Sequence, residues 1–83
     1  MNIQSAIFEG AKLLNDKLIS TAKLDSEILM MKVIGKNKKY ILLNHEKQLD
    51  FKKLKNFKKL IKKRLNKKPI AYITNKKFFW KYE

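Results

Sequence analysis

The chain has 83 residues and a mass of 9.9 kDa, enough for one small domain with a thin core. Hydrophobic residues make up 45% of the sequence, which is typical of a globular protein and argues against disorder. There is no cysteine, so disulfide bonds and thiolate metal sites are excluded. The longest apolar runs have four residues, too few for a membrane-spanning helix, and the N-terminus lacks the pattern of a secretory signal. We therefore predict a cytoplasmic protein.

The net charge of +14 comes from 21 basic and 7 acidic residues. A charge of this size favours an anionic partner, which could be nucleic acid, an acidic protein or anionic lipid. All the basic residues except Arg64 are lysines, which lack the planar fork with which arginine contacts bases and phosphates. The abundance of lysine, isoleucine and asparagine also fits the drift of an AT-rich genome. Composition alone therefore leaves a selected anion-binding surface and compositional drift as equal alternatives.

Helices are predicted because glycine and proline, which strand-rich domains need at their turns, occur only three times. In the first helix the apolar residues recur at three- and four-residue spacing: Ile3, Ala6, Ile7, Gly10, Ala11 and Leu14. Phe8 lies off this stripe and is expected to pack against a second neighbour. The helix is expected to end at Asn15 or Asp16.

The second helix is predicted from its apolar residues Leu24, Ile28 and Met31, with Val33 and Ile34 alongside. Ser20 or Thr21 is expected to supply the N-cap oxygen. Asp25 and Glu27 are interpreted as acids that favour the positive end of the helix dipole. Gly35 is expected to end the helix, because a helix C-terminus often requires a positive φ angle.

Two more helices are predicted in the second half of the chain. A short one follows its candidate cap Asn37, with residues 40–43 as its body and a polar loop at 44–49. Asp50 is expected to cap a longer helix that runs to about Asn66. The apolar half of this longer helix comprises Phe51, Leu54, Phe57, Leu60, Ile61 and Leu65. The other half is filled by Lys52, Lys55, Lys58, Lys59, Lys62 and Lys63.

This basic helix has several interpretations. One is an ordinary solvated outer face, and another is a docking face for a protein or for RNA. Membrane binding is disfavoured, because so small a domain needs the apolar half of the helix for its core. The candidate partner-binding residues are Lys52, Lys55, Lys59, Lys62, Lys63 and Arg64.

No arrangement of residues indicates catalysis. His45 has no second histidine or cysteine at ligand spacing and is interpreted as a solvated loop residue. Asp25 and Glu27 are two residues apart on a helix and so point to different sides. The glycines are isolated, so no glycine-rich loop is available to hold a phosphate or a nucleotide. We predict that this chain alone has no catalytic residues and binds neither a metal nor a cofactor.

The C-terminal segment changes character after Pro69, which is tolerated in a turn or in the first turn of a short helix at 70–73. Aromatic residues then alternate at 78, 80 and 82, and a period of two favours a strand. An unpaired aromatic strand is an aggregation hazard. Residues 76–83 are therefore expected to fold back onto the bundle or to self-associate with the same segment of another copy.

Two separated stretches carry a family resemblance. The first stretch comprises residues 21–29, T-A-K-L-D-S-E-I-L, and residues 33–35, V-I-G. The second comprises residues 63–64, K-R, residues 69–74, P-I-A-Y-I-T, and residues 79–80, F-W. The first stretch is similar to the A-R-L-D-A-E-L-L run and closing L-G of the N-terminal domain of the release factor glutamine methyltransferases, the HemK/PrmC family. The second is similar to the family's R-R, P-L-A-Y-L-T-G and F-W. The resemblance spans roughly residues 5–83.

The chain departs from this family at its turns. Leu18 and Asn75 stand where the family usually has glycine, and the glycines expected near Lys67 and Lys81 are also missing. Asparagine is the best substitute for glycine where φ is positive, so the turn at Asn75 can survive the change.

The resemblance implies an all-α fold: a small bundle of about five helices, followed by the first strand of a truncated β-hairpin. Residues 1–74 would form the helical substrate-docking domain, and residues 75–83 would begin the interdomain hairpin linker. In the family, this linker leads to a methyltransferase domain that binds S-adenosylmethionine and methylates the glutamine of the G-G-Q motif in class 1 peptide chain release factors. The N-P-P-Y signature of that domain is absent from this sequence.

The chain is therefore expected to be an excised N-terminal domain or the product of a split gene. Its expected function is to help dock the release factor for methylation by a separate catalytic domain. The alternative, based on the lysines of the fourth helix, is an independent basic RNA-binding module that contacts RNA or the ribosome.

Overall fold

The computed structural model describes residues 1–66 and residue 73. The described part contains four α-helices: α1 (Ile3–Asp16), α2 (Ala22–Ile34), α3 (Lys38–Leu43) and α4 (Phe51–Leu65). The predicted all-α fold is confirmed, and these four helices lie where the sequence predicts them. Of the predicted fifth helix at 70–73 only Ile73 is described, and its side chain is buried. The predicted strand and the self-associating segment at 76–83 lie outside the described residues.

Side-chain caps begin three of the helices. The side-chain oxygens of Asn2, Asn37 and Asp50 each accept a hydrogen bond from the backbone N–H three residues later, at 2.7, 3.0 and 2.7 Å. The predicted caps Asn37 and Asp50 are thus confirmed. Thr21 does precede α2, but its hydroxyl donates to the Asp25 carboxylate at 2.9 Å, so the prediction that it caps the backbone is wrong. Gly35 ends α2 with φ 76°, as predicted.

The core forms where α1, α2 and α4 meet, and α1 contributes the stripe that its spacing predicts. Helix α2 forms where the sequence predicts it, although Leu24, one of its predicted apolar residues, is half exposed. Met31, Val33 and Ile34 pack partly buried against the core, and the buried residues are Ala22, Asp25, Ser26, Leu29 and Met30. Two polar side chains can lie on this buried face because each has a partner inside the protein. The Ser26 hydroxyl donates to the carbonyl of Ile7 at 2.7 Å, and Asp25 forms an ion pair.

Helix α1 comes close to its neighbours at Gly10. A Cβ atom at this position would lie 2.8 Å from both Ile61 Cδ1 and Ser26 Oγ. The absence of a side chain therefore lets α1 pack closely against α2 and α4 together. This glycine has a packing role, whereas Gly35 has a conformational one.

Two phenylalanines that the sequence predicts to be packed are largely exposed. Phe8 is 75% exposed and Phe51 is 79% exposed. An exposure this large means that the prediction that Phe8 packs against a second neighbour is not met by burial of its side chain. Phe51 is the first residue of α4, whose buried residues are Phe57 and Ile61, with Leu54, Leu60 and Leu65 packed partly buried against the core.

The N-terminus pairs with the loop between α3 and α4. The N–H groups of Ile3, Gln4 and Leu49 donate to the carbonyls of Lys47, His45 and Met1, at 3.0, 2.8 and 3.0 Å respectively. The next two N–H groups of α1, those of Ser5 and Ala6, donate to the side chain and the carbonyl of Asn2. The N–H groups of Ile3, Gln4 and Ser5, which precede the first i→i−4 bond of the helix, are therefore all satisfied. None of the helices in the described residues is long and apolar enough to cross a membrane.

A leucine occupies the left-handed turn that ends α1. Leu18 has φ 62°, and its neighbour Ile19 donates to the carbonyl of Leu14 at 3.1 Å, while Leu18 itself donates to that of Asn15 at 2.9 Å. This is the hydrogen-bonding pattern of a Schellman motif, whose left-handed residue is usually glycine. The position is the one at which the family resemblance also places a glycine. The leucine side chain gains little from its place, because it is 88% exposed.

We predict that Leu18→Gly stabilises the protein. A non-glycine residue in this conformation strains the folded state by about 1–2 kcal/mol, and glycine removes that strain. Glycine also makes the unfolded chain more flexible, which lowers the free energy of unfolding by about 0.5–1 kcal/mol. The free energy of unfolding, measured in urea, should rise by about 0.5–1 kcal/mol. Lys17→Gly is the matched control, because Lys17 has φ −95° and so gains no relief of strain. A gain of the same size in both variants would contradict this explanation.

Candidate partner-binding surface

The exposed side of α4 carries a continuous row of positive charge. The helix contains eight basic residues and no acidic residue among its 15 residues. At about 100° per residue, five lysines fall within a sector of about 100° that extends for about 16 Å along the helix axis. These five, which we call the lysine face, are Lys52, Lys55, Lys59, Lys62 and Lys63, and all are exposed. The structure thus brings together five of the six residues that the sequence predicts to bind a partner.

No acidic residue in the described part of the chain neutralises the lysine face. The ion pairs of lysine and arginine within residues 1–66 join Lys38 to Glu27 and Arg64 to Asp25. Neither of them involves a lysine of this face. Because like charges repel along one side of one helix, the face favours an anionic partner over bare solvent.

Arg64, the sixth predicted residue, points towards the interior. Its Nε donates to Asp25 Oδ2 at 2.8 Å, and its side chain is only 18% exposed. The same carboxylate oxygen accepts the hydroxyl hydrogen of Thr21. Arg64 therefore joins the end of α4 to the first turn of α2, and it lies on the opposite side of α4 from the lysines.

Sequence reasoning missed this ion pair, although two signals of it were present. Arg64 is the only arginine among the basic residues, and arginine is the cation best suited to a buried pair with a carboxylate. On a helical wheel it also lies next to Phe57, on the core side of α4. Asp25 does lie in the first turn of α2, as predicted. It is only 4% exposed, however, and it pairs with Arg64 inside the protein in addition to interacting with the helix dipole.

His45 lies in the loop after α3 with an exposed side chain. Its Nδ1 lies 3.1 Å from the carbonyl oxygen of Leu42, and its Nε2 lies 3.8 Å from a carboxylate oxygen of Glu46. Among the described residues, no three histidine, cysteine or acidic side chains are grouped closely enough to hold a metal ion.

Residues 5–74 match the family model described as the PrmC N-terminal domain. The chain belongs to this family. The resemblance found in the two sequence stretches is thus confirmed, and the structure adds a physical link between them. Asp25 lies in the first stretch and Arg64 in the second, so their ion pair joins the two parts of this PrmC N-terminal domain.

Curated relatives extend the comparison. The chain is 37% identical over 82 residues to a bifunctional methyltransferase of Rickettsia conorii, covering 99% of the chain and 16% of that protein. It is 32% identical over 68 residues to the release factor glutamine methyltransferase of Chlorobaculum tepidum, covering 82% of the chain and 23% of the relative. It is 33% identical over 79 residues to the protein of the same name from Aliivibrio fischeri, covering 95% of the chain and 25% of the relative.

This PrmC N-terminal domain therefore spans a quarter or less of the length of these relatives. No solved structure matches the chain.

Proposed function

We propose that this PrmC N-terminal domain helps to dock a class 1 peptide chain release factor for methylation of a glutamine by a methyltransferase domain. The proposal is supported by the family and by relatives that are named release factor glutamine methyltransferases. The lysine face is the observation that carries it, because five exposed lysines on one side of α4 offer a binding surface that the core does not need. The anionic partner that this surface favours would be an acidic region of the release factor.

Among the residues that the structure describes, no arrangement fits S-adenosylmethionine. Nucleotide-like cofactors are commonly held where a strand leads through a glycine-rich turn into a helix. In the described part of the chain, one glycine is packed inside α1 and the other ends α2. We therefore assign the cofactor and the transfer of the methyl group to a separate methyltransferase domain, with residues 75–83 beginning the linker to it. The cytoplasm, where translation takes place, is the compartment that this function requires.

We predict that the lysine face, rather than net charge, determines binding of the release factor. The triple variant Lys55→Gln, Lys59→Gln and Lys62→Gln should weaken binding about tenfold, because three exposed charge contacts at about 0.5 kcal/mol each give about this change. The matched control changes Lys17, Lys32 and Lys39 to glutamine. These lysines are exposed elsewhere, and the control removes the same three charges from the net +14. Binding is measured by calorimetric titration with the full-length release factor.

Equal losses in the two triple variants would contradict the assignment to the lysine face, since they would show that only total charge matters. If the unaltered chain does not bind the release factor, either alone or with a separately supplied methyltransferase domain, the docking function itself is wrong.

A second candidate function, binding of RNA, is favoured by the row of lysines with no acid on α4. Neutralising phosphates with lysines releases counterions, so the logarithm of the affinity should fall with the logarithm of salt concentration, by about 0.7–0.9 for each phosphate contact. Titration with a ribosomal RNA fragment at several salt concentrations tests this function. Undetectable or salt-insensitive binding would exclude it.

A further inference from the structure

A groove lies between α1, α2 and α3, with a volume of about 810 Å³. Its floor includes Ile7, Ala22 and Ile41, which are buried apolar residues. The groove lies on the flank of α1 away from α4, because the residues of α1 that face α4, such as Gly10 and Leu13, are on the other side of that helix. It is therefore separate from the lysine face.

Two large apolar side chains that line this groove are exposed. Phe8 of α1 is 75% exposed and Leu42 of α3 is 61% exposed. Single exposed apolar residues are common on protein surfaces, but these two border the same groove and extend its apolar floor outwards. The arrangement of an apolar floor between exposed apolar side chains is the one that binds the apolar face of a helix.

The charges that line the groove determine what kind of helix fits. Lys12 and Lys23 line the groove and are exposed. The one acid among the lining residues, Glu27, lies 3.6 Å from Lys38 Nζ and is balanced by it. The groove therefore carries an excess of positive charge. A second copy of this chain is a poor occupant, because each copy has a net charge of +14.

The length of the groove sets the length of its occupant. The lining residues of α1 extend from Gln4 to Asn15, which is about 16 Å along the helix axis, or three turns. We infer that the groove binds an amphipathic helix of about three turns, with apolar residues on one side and acidic residues at its edges. The release factor supplies this helix; this identification of the partner rests on the proposed function. One partner can contact both the groove and the lysine face, because the largest dimension of the domain is 30 Å.

The test measures binding of the full-length release factor by variants of the full chain. Phe8→Ala and Leu42→Ala should each weaken binding about tenfold or more, as expected for truncated anchors that fill a groove. Leu43→Ala is the matched control, because Leu43 is the adjacent residue of α3, is 73% exposed and does not line the groove. It should bind within twofold of the unaltered chain. Phe8→Leu keeps an apolar anchor and should restore most of the affinity.

The salt dependence of binding distinguishes the groove from the lysine face. The groove variants should keep the salt dependence of the unaltered chain, whereas the lysine-face variant should reduce it. Circular dichroism melting should be unchanged in the groove variants, since both altered side chains are largely exposed. Unchanged affinity in both Phe8→Ala and Leu42→Ala, with the unaltered chain binding the release factor, would overturn the groove assignment and leave the docking function standing.

A synthetic peptide tests the groove without the release factor. The probe is a three-turn helix with leucines at positions i, i+3, i+4 and i+7 and glutamates elsewhere, and its control has the same composition in scrambled order. The ordered peptide should shift the NMR signals of groove residues, and Phe8→Ala should abolish those shifts. If the ordered peptide binds in this way but the release factor does not bind, the proposed function fails and the groove assignment holds. Equal binding of the ordered and scrambled peptides would overturn the groove assignment.

Discussion

Asp25→Ala is expected to lower the free energy of unfolding by about 3–5 kcal/mol. The Asp25 carboxylate is 4% exposed and accepts hydrogen bonds from Arg64 Nε at 2.8 Å and from the Thr21 hydroxyl at 2.9 Å. Removing it breaks both of these hydrogen bonds and the ion pair that links the end of α4 to the first turn of α2. Urea denaturation followed by circular dichroism measures the loss.

The control for this prediction is an ion pair near the surface. Lys38→Ala removes the 3.6 Å contact with Glu27, in which the lysine side chain is 59% exposed, and should cost no more than about 1 kcal/mol. In the background of Arg64→Leu, Asp25→Ala should cost much less than it does alone, because contacting residues are coupled. Equal costs in the two backgrounds would show that the Asp25–Arg64 pair does not stabilise the fold.

Phe57→Ala should cost about 3–5 kcal/mol, since it leaves a cavity at the junction of the helices. Phe57 is 2% exposed, and its Cζ lies 3.0 Å from the position of a Cβ added at Gly10. Such close packing leaves little room for the surrounding helices to collapse into the vacated space. The same denaturation measurement applies.

Phe51→Ala is the matched control for Phe57→Ala, with the same residue type in the same helix. Phe51 is 79% exposed, so its truncation should change stability by no more than about 0.5 kcal/mol. Comparable losses at the two positions would mean that the Phe51 side chain is packed as tightly as that of Phe57, contrary to its exposure in the structure.

Local patterns predict the helices of this protein because caps, breakers and spacing act within a few residues. The caps Asn37 and Asp50 and the C-terminal Gly35 are of this kind. The buried face of α2 could not be found in this way. Apolar residues occur around the whole of that helix, and its true inner face contains Asp25 and Ser26, which are buried only because of partners 39 and 19 residues away in the sequence.

In the candidate binding surfaces too, features set by neighbouring residues can be predicted from the sequence, and features set by distant residues cannot. The lysine face follows from the spacing of lysines along one helix, and sequence reasoning identifies its five members. Sequence reasoning also places Arg64 in this group, because a charge count does not show which cation has a carboxylate on a neighbouring helix. The groove was missed because its residues come from three helices, and only the folded chain brings Phe8 and Leu42 to one place.

The pairing of the N-terminus with the loop after α3 has a consequence for how a partner would be bound. The hydrogen bonds from Ile3 and Gln4 tie that loop to the first turn of α1, and the loop follows directly from the end of α3. Helix α3 has only six residues, too few for a helix that is stable by itself, so these bonds help to hold it in place. The two sides of the groove are therefore fixed relative to each other before any partner arrives. Binding would then order few groups in this protein, and the entropy lost on association would fall mainly on the partner's helix.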